Sequence, residues 1–151
     1  MQKEACRVES CYARCIAPLD VTPLANALRQ LDAGLRDAER NSLNELLRDG
    51  VIQRFEYSHE LALKLIRRVL ETIFGDNVDT MAYNDVLRTA FERGLISDVE
   101  HWFEYRAARN KTSHTYDAAV AAEVYRSARP FLIDARELLI RLHAYADQPS
   151  A

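Results

Sequence analysis

The stretch Asn41–Gly75, NSLNELLRDGVIQRFEYSHELALKLIRRVLETIFG, decides the fold class. Its apolar residues recur at spacings of three, four and seven, which predicts one buried helix face about eight turns long. That face consists of Leu47, Val51, Phe55, Ala62, Ile66, Val69 and Ile73. A capping box of Ser42 and Glu45 is expected to begin the helix, and Gly75 to end it. A helix of this length favours a bundle over a set of short packed helices.

Amphipathic segments on both sides of this helix extend the same pattern. Upstream, Thr22 is expected to cap a helix that carries Pro23 in its first turn. Its apolar stripe is Leu24, Leu28, Leu31 and Leu35. Downstream, a short helix is expected to end near Gly94, and the next to begin with a capping box of Ser97 and Glu100. Trp102 and Phe103 are interpreted as core residues of that helix rather than as a platform for stacking bases.

The last helical segment completes the predicted fold. Its apolar positions repeat by four and three and are Val124, Ala128, Phe131, Ala135, Leu138, Leu142 and Tyr145. Pro130 interrupts the segment, and we expect a kink or a break there because proline lacks the N–H that a helix needs. No strand pattern or internal repeat is present. The sequence therefore predicts an all-α, up-and-down helical bundle of four to five helices with a kinked last helix.

Composition and charge limit the location and the partners of the chain. The formal net charge of −3 disfavours a large constitutive surface for DNA or RNA, although it leaves room for a small local site. No apolar run is long enough to span a membrane, and no signal peptide is recognisable, so a cytoplasmic location is expected. The predicted domain covers 20–146, between an N-terminal extension (1–19) and a C-terminal tail (147–151). The three cysteines, Cys6, Cys11 and Cys15, all lie in that extension without metal-ligand spacing.

The stretch Arg109–Tyr116, RNKTSHTY, is the strongest candidate for a functional site. His114 follows Arg109 by five positions, and on an unbroken helix the two side chains would point about 140° apart. They can act together only if the helix ends between them or if two copies meet across a dimer. The intervening Asn, Lys, Thr and Ser residues suit a helix end, and Asp117 could cap the helix that follows.

The charges around this stretch suggest a chemistry. No acidic residue occurs between Tyr105 and Tyr116, whereas Arg106, Arg109 and Lys111 are basic. Arginine suits phosphate, and histidine can exchange a proton near neutral pH. Together they match the needs of metal-independent RNA cleavage, in which His114 would transfer a proton and Arg109 would stabilise the phosphate. On these residues alone, an ordinary pair of surface side chains remains the alternative.

The order of these segments resembles that of HEPN-domain proteins. RNKTSHTY resembles their R-x4-H-x-Y signature, and more narrowly that of the HepT-like partners of minimal nucleotidyltransferases. RDGVIQRFEYSHELALK (48–64), which includes Phe55 and Glu60, resembles the long-helix block of that family. AFERGLISDVEHW (90–102) resembles the segment that leads into the motif. The likeness extends from about residue 20 to 145.

This resemblance implies a HEPN-like fold, a homodimer and a separately encoded minimal nucleotidyltransferase as antitoxin. It implies that Arg109 and His114 are catalytic in an RNA endonuclease toxin, and that the partner silences the toxin by adding AMP to Tyr116. Asn110, Lys111 and Ser113 would support the site. Neither a cofactor nor a metal is expected. The chain carries no Gly-rich phosphate loop and no aspartate pair of a nucleotidyltransferase, so it is not expected to transfer nucleotides itself.

Other readings stay open at this point. Lys64, with Arg67 and Arg68, forms a basic group on the long helix that is either a solvated face or a contact for phosphate or the partner. Arg106 is a second candidate for such a contact. The protein as a whole could instead be a non-catalytic subunit that presents a nucleotide or substrate to its partner, or a helical dimer whose site has decayed.

Overall fold

Five α-helices make up most of residues 18–146, which are the residues that the structure, a computed structural model, describes. They are α1 (Thr22–Arg40), α2 (Glu45–Thr72), α3 (Tyr83–Glu92), α4 (Val99–Asn110) and α5 (Ala118–Ala146). Short 3₁₀ turns at Val78–Thr80 and Thr112–His114 precede α3 and α5. The described residues form no strand, so the predicted all-α class is confirmed.

The four longer helices run alternately up and down. Arg129 of α5 pairs with Glu39, and Arg136 pairs with Asp32 at 3.1 Å, so α5 is antiparallel to α1. Short connections turn the chain between α1 and α2 and between α4 and α5. The shorter α3 packs against α2 and α4. This arrangement confirms the predicted bundle of four to five helices.

Aromatic side chains fill the centre of the bundle. Phe131 lies edge-on to Phe55, Trp102 and Tyr105, with ring centroids 5.2, 5.8 and 5.5 Å away. All four rings are buried. Trp102 is therefore a core residue, as predicted, and Phe103 packs half-buried against the same core.

The first two helices begin differently from the sequence-based prediction. Thr22 does not cap α1; the carboxylate of Asp20 accepts its backbone N–H at 3.0 Å. Ser42 does not cap α2; Asn44 accepts the N–H groups of Leu46 and Leu47 at 3.1 and 3.4 Å. At α1 the N-cap position is Val21, which has no side chain that could cap the helix. At α2 the prediction was wrong because Asn44 stands nearer to the first turn, and Asn caps at least as well as Ser.

A third predicted cap also fails, at the start of α4. Asp98 rather than Ser97 accepts the N–H of His101, at 3.1 Å. The Ser97 hydroxyl instead donates to Glu137 of α5 at 3.0 Å. The serine thus joins two helices, and the neighbouring carboxylate caps α4.

The predicted helix ends are correct at both glycines, but the break at Pro130 is wrong. Gly75 and Gly94 have φ values of 72° and 76°, the left-handed conformation that glycine adopts freely after a helix. Helix α5, by contrast, continues through Pro130. Ala128 and Phe131 on either side of it are fully buried. A bend at Pro130 stays a prediction.

The two ends of the chain lie largely outside the described residues. Cys6, Cys11 and Cys15 lie outside the described residues, as does the tail 147–151. Of the predicted N-terminal extension only Pro18 and Leu19 are described, so the domain boundaries stay predictions. None of the described helices combines the length and the apolar character needed to cross a membrane.

Candidate functional site

The motif stretch is the connection between α4 and α5. Helix α4 ends at Asn110, and a single 3₁₀ turn follows, in which the N–H of His114 donates to the carbonyl of Lys111 at 3.0 Å. Asp117 then caps α5 by accepting the N–H groups of Ala119 and Val120 at 2.9 and 3.4 Å. The predicted helix end between Arg109 and His114 is therefore present, as is the predicted cap.

Arg109 is held against α2 by two carboxylates. Its Nε donates to Glu60 Oε1 at 3.2 Å, its Nη2 also contacts that oxygen, and Nη2 lies 3.3 Å from Glu56 Oε1. The hydrogen bond to Glu60 raises the pKa of the guanidinium. A third contact, from Nη1 to the Thr112 hydroxyl at 3.5 Å, ties the side chain to the 3₁₀ turn. Arg109 is thus a fixed cation, with 30% of its side chain exposed.

His114 and Tyr116 lie on the surface of the same connection. Their ring centroids are 6.1 Å apart and the rings are inclined at 74°. Tyr116 is 88% exposed, and His114 is also exposed. Among the described residues no hydrogen bond or ring contact joins His114 to Arg109. One copy of the chain thus places Arg109 in the last turn of α4 and His114 on the connection that follows, without a direct contact between them.

The remaining predicted site residues have different surroundings. Asn110 and Ser113 are exposed on the connection. Lys111 pairs with Glu123 of α5 at 2.5 Å, which fixes the connection to the last helix. Arg106 lies one turn before Arg109 on α4, where it contacts α3.

Lys64 lies in the wall of a cavity elsewhere on α2. The cavity has a volume of about 300 Å³ and also involves the segment before α1. Its walls are formed by Pro18, Asp20, Pro23, Leu61, Lys64, Leu65 and Arg68. Among the described residues no contact joins Lys64 to Arg109, so the structure does not bring these two predicted residues together.

Sequence reasoning missed both partners of Arg109. Glu56 and Glu60 are four residues apart on α2 and therefore share one helix face. Their spacing alone would suggest an ordinary solvated face. The contact between Glu60 and Arg109 spans 49 residues of sequence, and only the packing of α4 on α2 creates it.

His59 is a buried polar residue directly beneath this site. It is 1% exposed, and neither ring nitrogen has a hydrogen-bond partner among the described residues. The rings of Phe55, Trp102 and Phe131 surround it, with centroids between 5.9 and 6.4 Å away. Burial, and next the charge of Arg109, lower its pKa from 6.5 to about 4. His59 is therefore neutral at pH 7.

This buried histidine predicts a loss of stability in acid. Between pH 6.5 and about 4 the unfolded chain binds a proton at His59 that the folded chain does not, so the unfolding free energy falls as the pH falls through this window. The loss from this group is on the order of 3 kcal/mol. Urea unfolding at several pH values should show that His59→Leu weakens this dependence. His143→Leu, at an exposed histidine, is the control, and equal pH slopes in wild type and His59→Leu would refute the prediction.

Comparison with known proteins places these features in a family. Residues 19–144 match the model of the family described as "Nucleotidyltransferase substrate binding protein like". The chain is 40% identical over 108 residues to the Haemophilus influenzae protein named "Probable ribonuclease HepT", and the match covers 70% of this chain and 74% of that protein.

Two solved structures are similar in fold. One, from Haemophilus influenzae, is described as revealing the fold of a substrate binding domain of a nucleotidyltransferase. It is 35% identical to this chain, and the two structures superpose with a TM-score of 0.75. The match covers 82% of this chain and 99% of that one. The other, from Thermus thermophilus, is 25% identical with a TM-score of 0.59, over 74% and 98% of the two chains.

Proposed function

The chain belongs to the nucleotidyltransferase substrate binding protein like family, and we propose that it is a metal-independent RNA endonuclease, the toxin of a pair with a minimal nucleotidyltransferase. The observation that carries this proposal is the end of α4, where Arg109 is fixed as a cation in the last turn and His114 is exposed just beyond the helix. The relative named as a probable ribonuclease supports the same reaction class.

The proposed reaction is an attack of the RNA on itself. The 2′-oxygen forms a bond to the adjacent phosphorus and gives its proton to His114, and the bond from phosphorus to the 5′-oxygen breaks. The leaving 5′-oxygen takes a proton from a second, protonated imidazole or from water, so the products carry a 2′,3′-cyclic phosphate and a 5′-hydroxyl. Arg109 stabilises the charge that builds up on the phosphate oxygens.

A homodimer would complete this site. One copy offers a single imidazole, whereas the reaction needs a proton acceptor and a proton donor. A two-fold axis near the connection would bring two copies of His114 and Arg109 into one cleft.

Silencing by AMP addition would act at Tyr116. The exposed phenol can enter the active site of a partner enzyme without any unfolding of the bundle. Each AMP adds a phosphate beside His114, which repels the RNA backbone and obstructs the cleft.

The modification predicts a discrete change in mass. Protein produced together with the nucleotidyltransferase should be heavier than protein produced alone, by one or more AMP groups, and should no longer cleave RNA. Tyr116→Phe should keep the unmodified mass and stay active under both conditions; Tyr125→Phe, on α5, is the control and should behave as wild type. Intact-mass spectrometry and a cleavage assay with labelled single-stranded RNA measure both effects. AMP on the Tyr116→Phe protein would contradict the assignment.

A second candidate function is a binding subunit without catalysis. The solved relative described as a substrate binding domain favours it, as do the two carboxylates that occupy Arg109. This alternative predicts that the dimeric chain leaves RNA intact, and that the mixture with the nucleotidyltransferase binds nucleotide more tightly than either component. Cleavage by the isolated chain would exclude it.

A further inference from the structure

A stacked pair of side chains lies one helical turn from Arg109. The guanidinium carbon of Arg106 is 4.0 Å from the ring centroid of Tyr83, at the start of α3. Nη1 of Arg106 donates to the side-chain oxygen of Asn84. Arg106 and Arg109 are three residues apart and share one face of α4. A planar cation is thus held in a fixed orientation beside the candidate site.

The charges of two further guanidiniums, Arg67 of α2 and Arg109 of α4, also act on the Tyr83 phenol. Tyr83 is half-buried, and burial raises the pKa of its phenol, while the charges of Arg106, Arg67 and Arg109 act in the opposite direction. All three guanidiniums therefore lie within electrostatic range of one ring. The positive region that begins at Arg109 continues toward α3 between α2 and α4.

The cations of this region differ in how they are neutralised. Arg109 has Glu56 and Glu60 as partners. In the described part of the chain, no carboxylate lies within ion-pair distance of Arg67 or Arg106. Stacking on Tyr83 also fixes the plane of the Arg106 guanidinium, and a guanidinium held in this way can stack on a second flat group through its other face.

We propose that Arg67, Tyr83 and Arg106 form a subsite for the nucleotide next to the cleaved phosphate of a single-stranded RNA. This subsite rests on the proposed nuclease function and extends it. Arg67 binds the neighbouring backbone phosphate. The outer face of the Arg106 guanidinium stacks on the base, since bases stack on arginine planes as well as on aromatic rings.

Two variants and one control test the subsite. Their binding to a short single-stranded RNA, made uncleavable by 2′-deoxy nucleotides, is measured by fluorescence anisotropy. Arg67→Gln should weaken binding without changing base preference, and the slope of log Kd against log salt should fall by about one. Arg106→Lys keeps the charge and loses the plane, so the salt slope should persist while affinity falls about 5- to 50-fold and base preference weakens. Arg93→Gln is the control, because Arg93 also lies over a ring, Phe74, at 5.1 Å.

Cleavage kinetics separate the subsite from the nuclease itself. Arg67→Gln and Arg106→Lys should raise KM for cleavable RNA and leave kcat within about threefold, as expected when binding away from the reacting atoms is lost. If wild type cleaves RNA and both variants match it in Kd, KM and base preference, the subsite is wrong and the nuclease stands. If wild type neither binds nor cleaves RNA, the subsite and the proposed function both fall.

Discussion

His114→Ala should lower the rate of RNA cleavage by about 10²- to 10⁴-fold, the range for removal of a general acid or base. Histidine is the side chain that most often acts as a general acid or base, and His114 is the histidine of the motif. Because His114 is exposed and packs into no core, its loss should leave the unfolding free energy within about 0.5 kcal/mol of wild type. Single-turnover cleavage of a labelled RNA gives the rate, and urea unfolding gives the stability.

An exposed histidine elsewhere provides the matched control for this variant. His143 lies near the end of α5, and His143→Ala should cleave RNA at the wild-type rate. In cells, His114→Ala should relieve the growth arrest expected when the chain is produced without its partner. Full toxicity of His114→Ala, together with an unchanged cleavage rate, would end its catalytic assignment.

Arg109→Ala should have a comparably large effect, for a different reason. Its removal takes away the charge that stabilises the phosphate, which typically costs about 10²- to 10³-fold in rate. It also leaves Glu56 and Glu60 facing the RNA without a cation, so RNA affinity should fall together with the rate. Arg109→Lys should recover part of the affinity but little of the rate, because an ammonium lacks the planar fork.

The loss of RNA affinity and the loss of cleavage rate in Arg109→Ala can be separated. Adding Glu56→Gln and Glu60→Gln to Arg109→Ala should restore RNA binding while cleavage stays slow. Arg88→Ala is the control, since Arg88 is an exposed arginine paired with Asp85 at 2.9 Å on α3. Cleavage by Arg109→Ala at the wild-type rate would show that the phosphate is stabilised by another group.

The bundle could be predicted because its apolar periodicity is long and regular. Leu24, Leu28, Leu31 and Leu35 of α1 are buried as their spacing indicated, and so are the central positions of α2 and α5. Helix starts were less predictable, because Ser42 and Asn44 compete for one role and the local backbone decides between them. The sequence did not show whether Pro130 would break the last helix, because the spacing of apolar residues carries no information on the backbone at that position. The helix continues through Pro130.

The candidate site could be predicted in its residues but not in its contacts. The order of polar residues after Arg109 indicated a helix end, and the helix ends there. Two contacts join residues that are distant in sequence. Arg109 donates a hydrogen bond to Glu60, and Arg106 stacks on the ring of Tyr83. Such contacts follow from the packing of α4 against α2 and α3, which a single sequence does not encode in any local pattern.

A structure of the chain bound to an RNA with a 2′-deoxy nucleotide at the cleavage position tests the central claim most directly. We expect Arg109 and His114, from one copy or from two across a dimer, both to lie within about 3.2 Å of the same phosphodiester group. An RNA bound with its phosphates away from the connection after α4, or held by Arg109 with His114 turned to solvent in every copy, would contradict it.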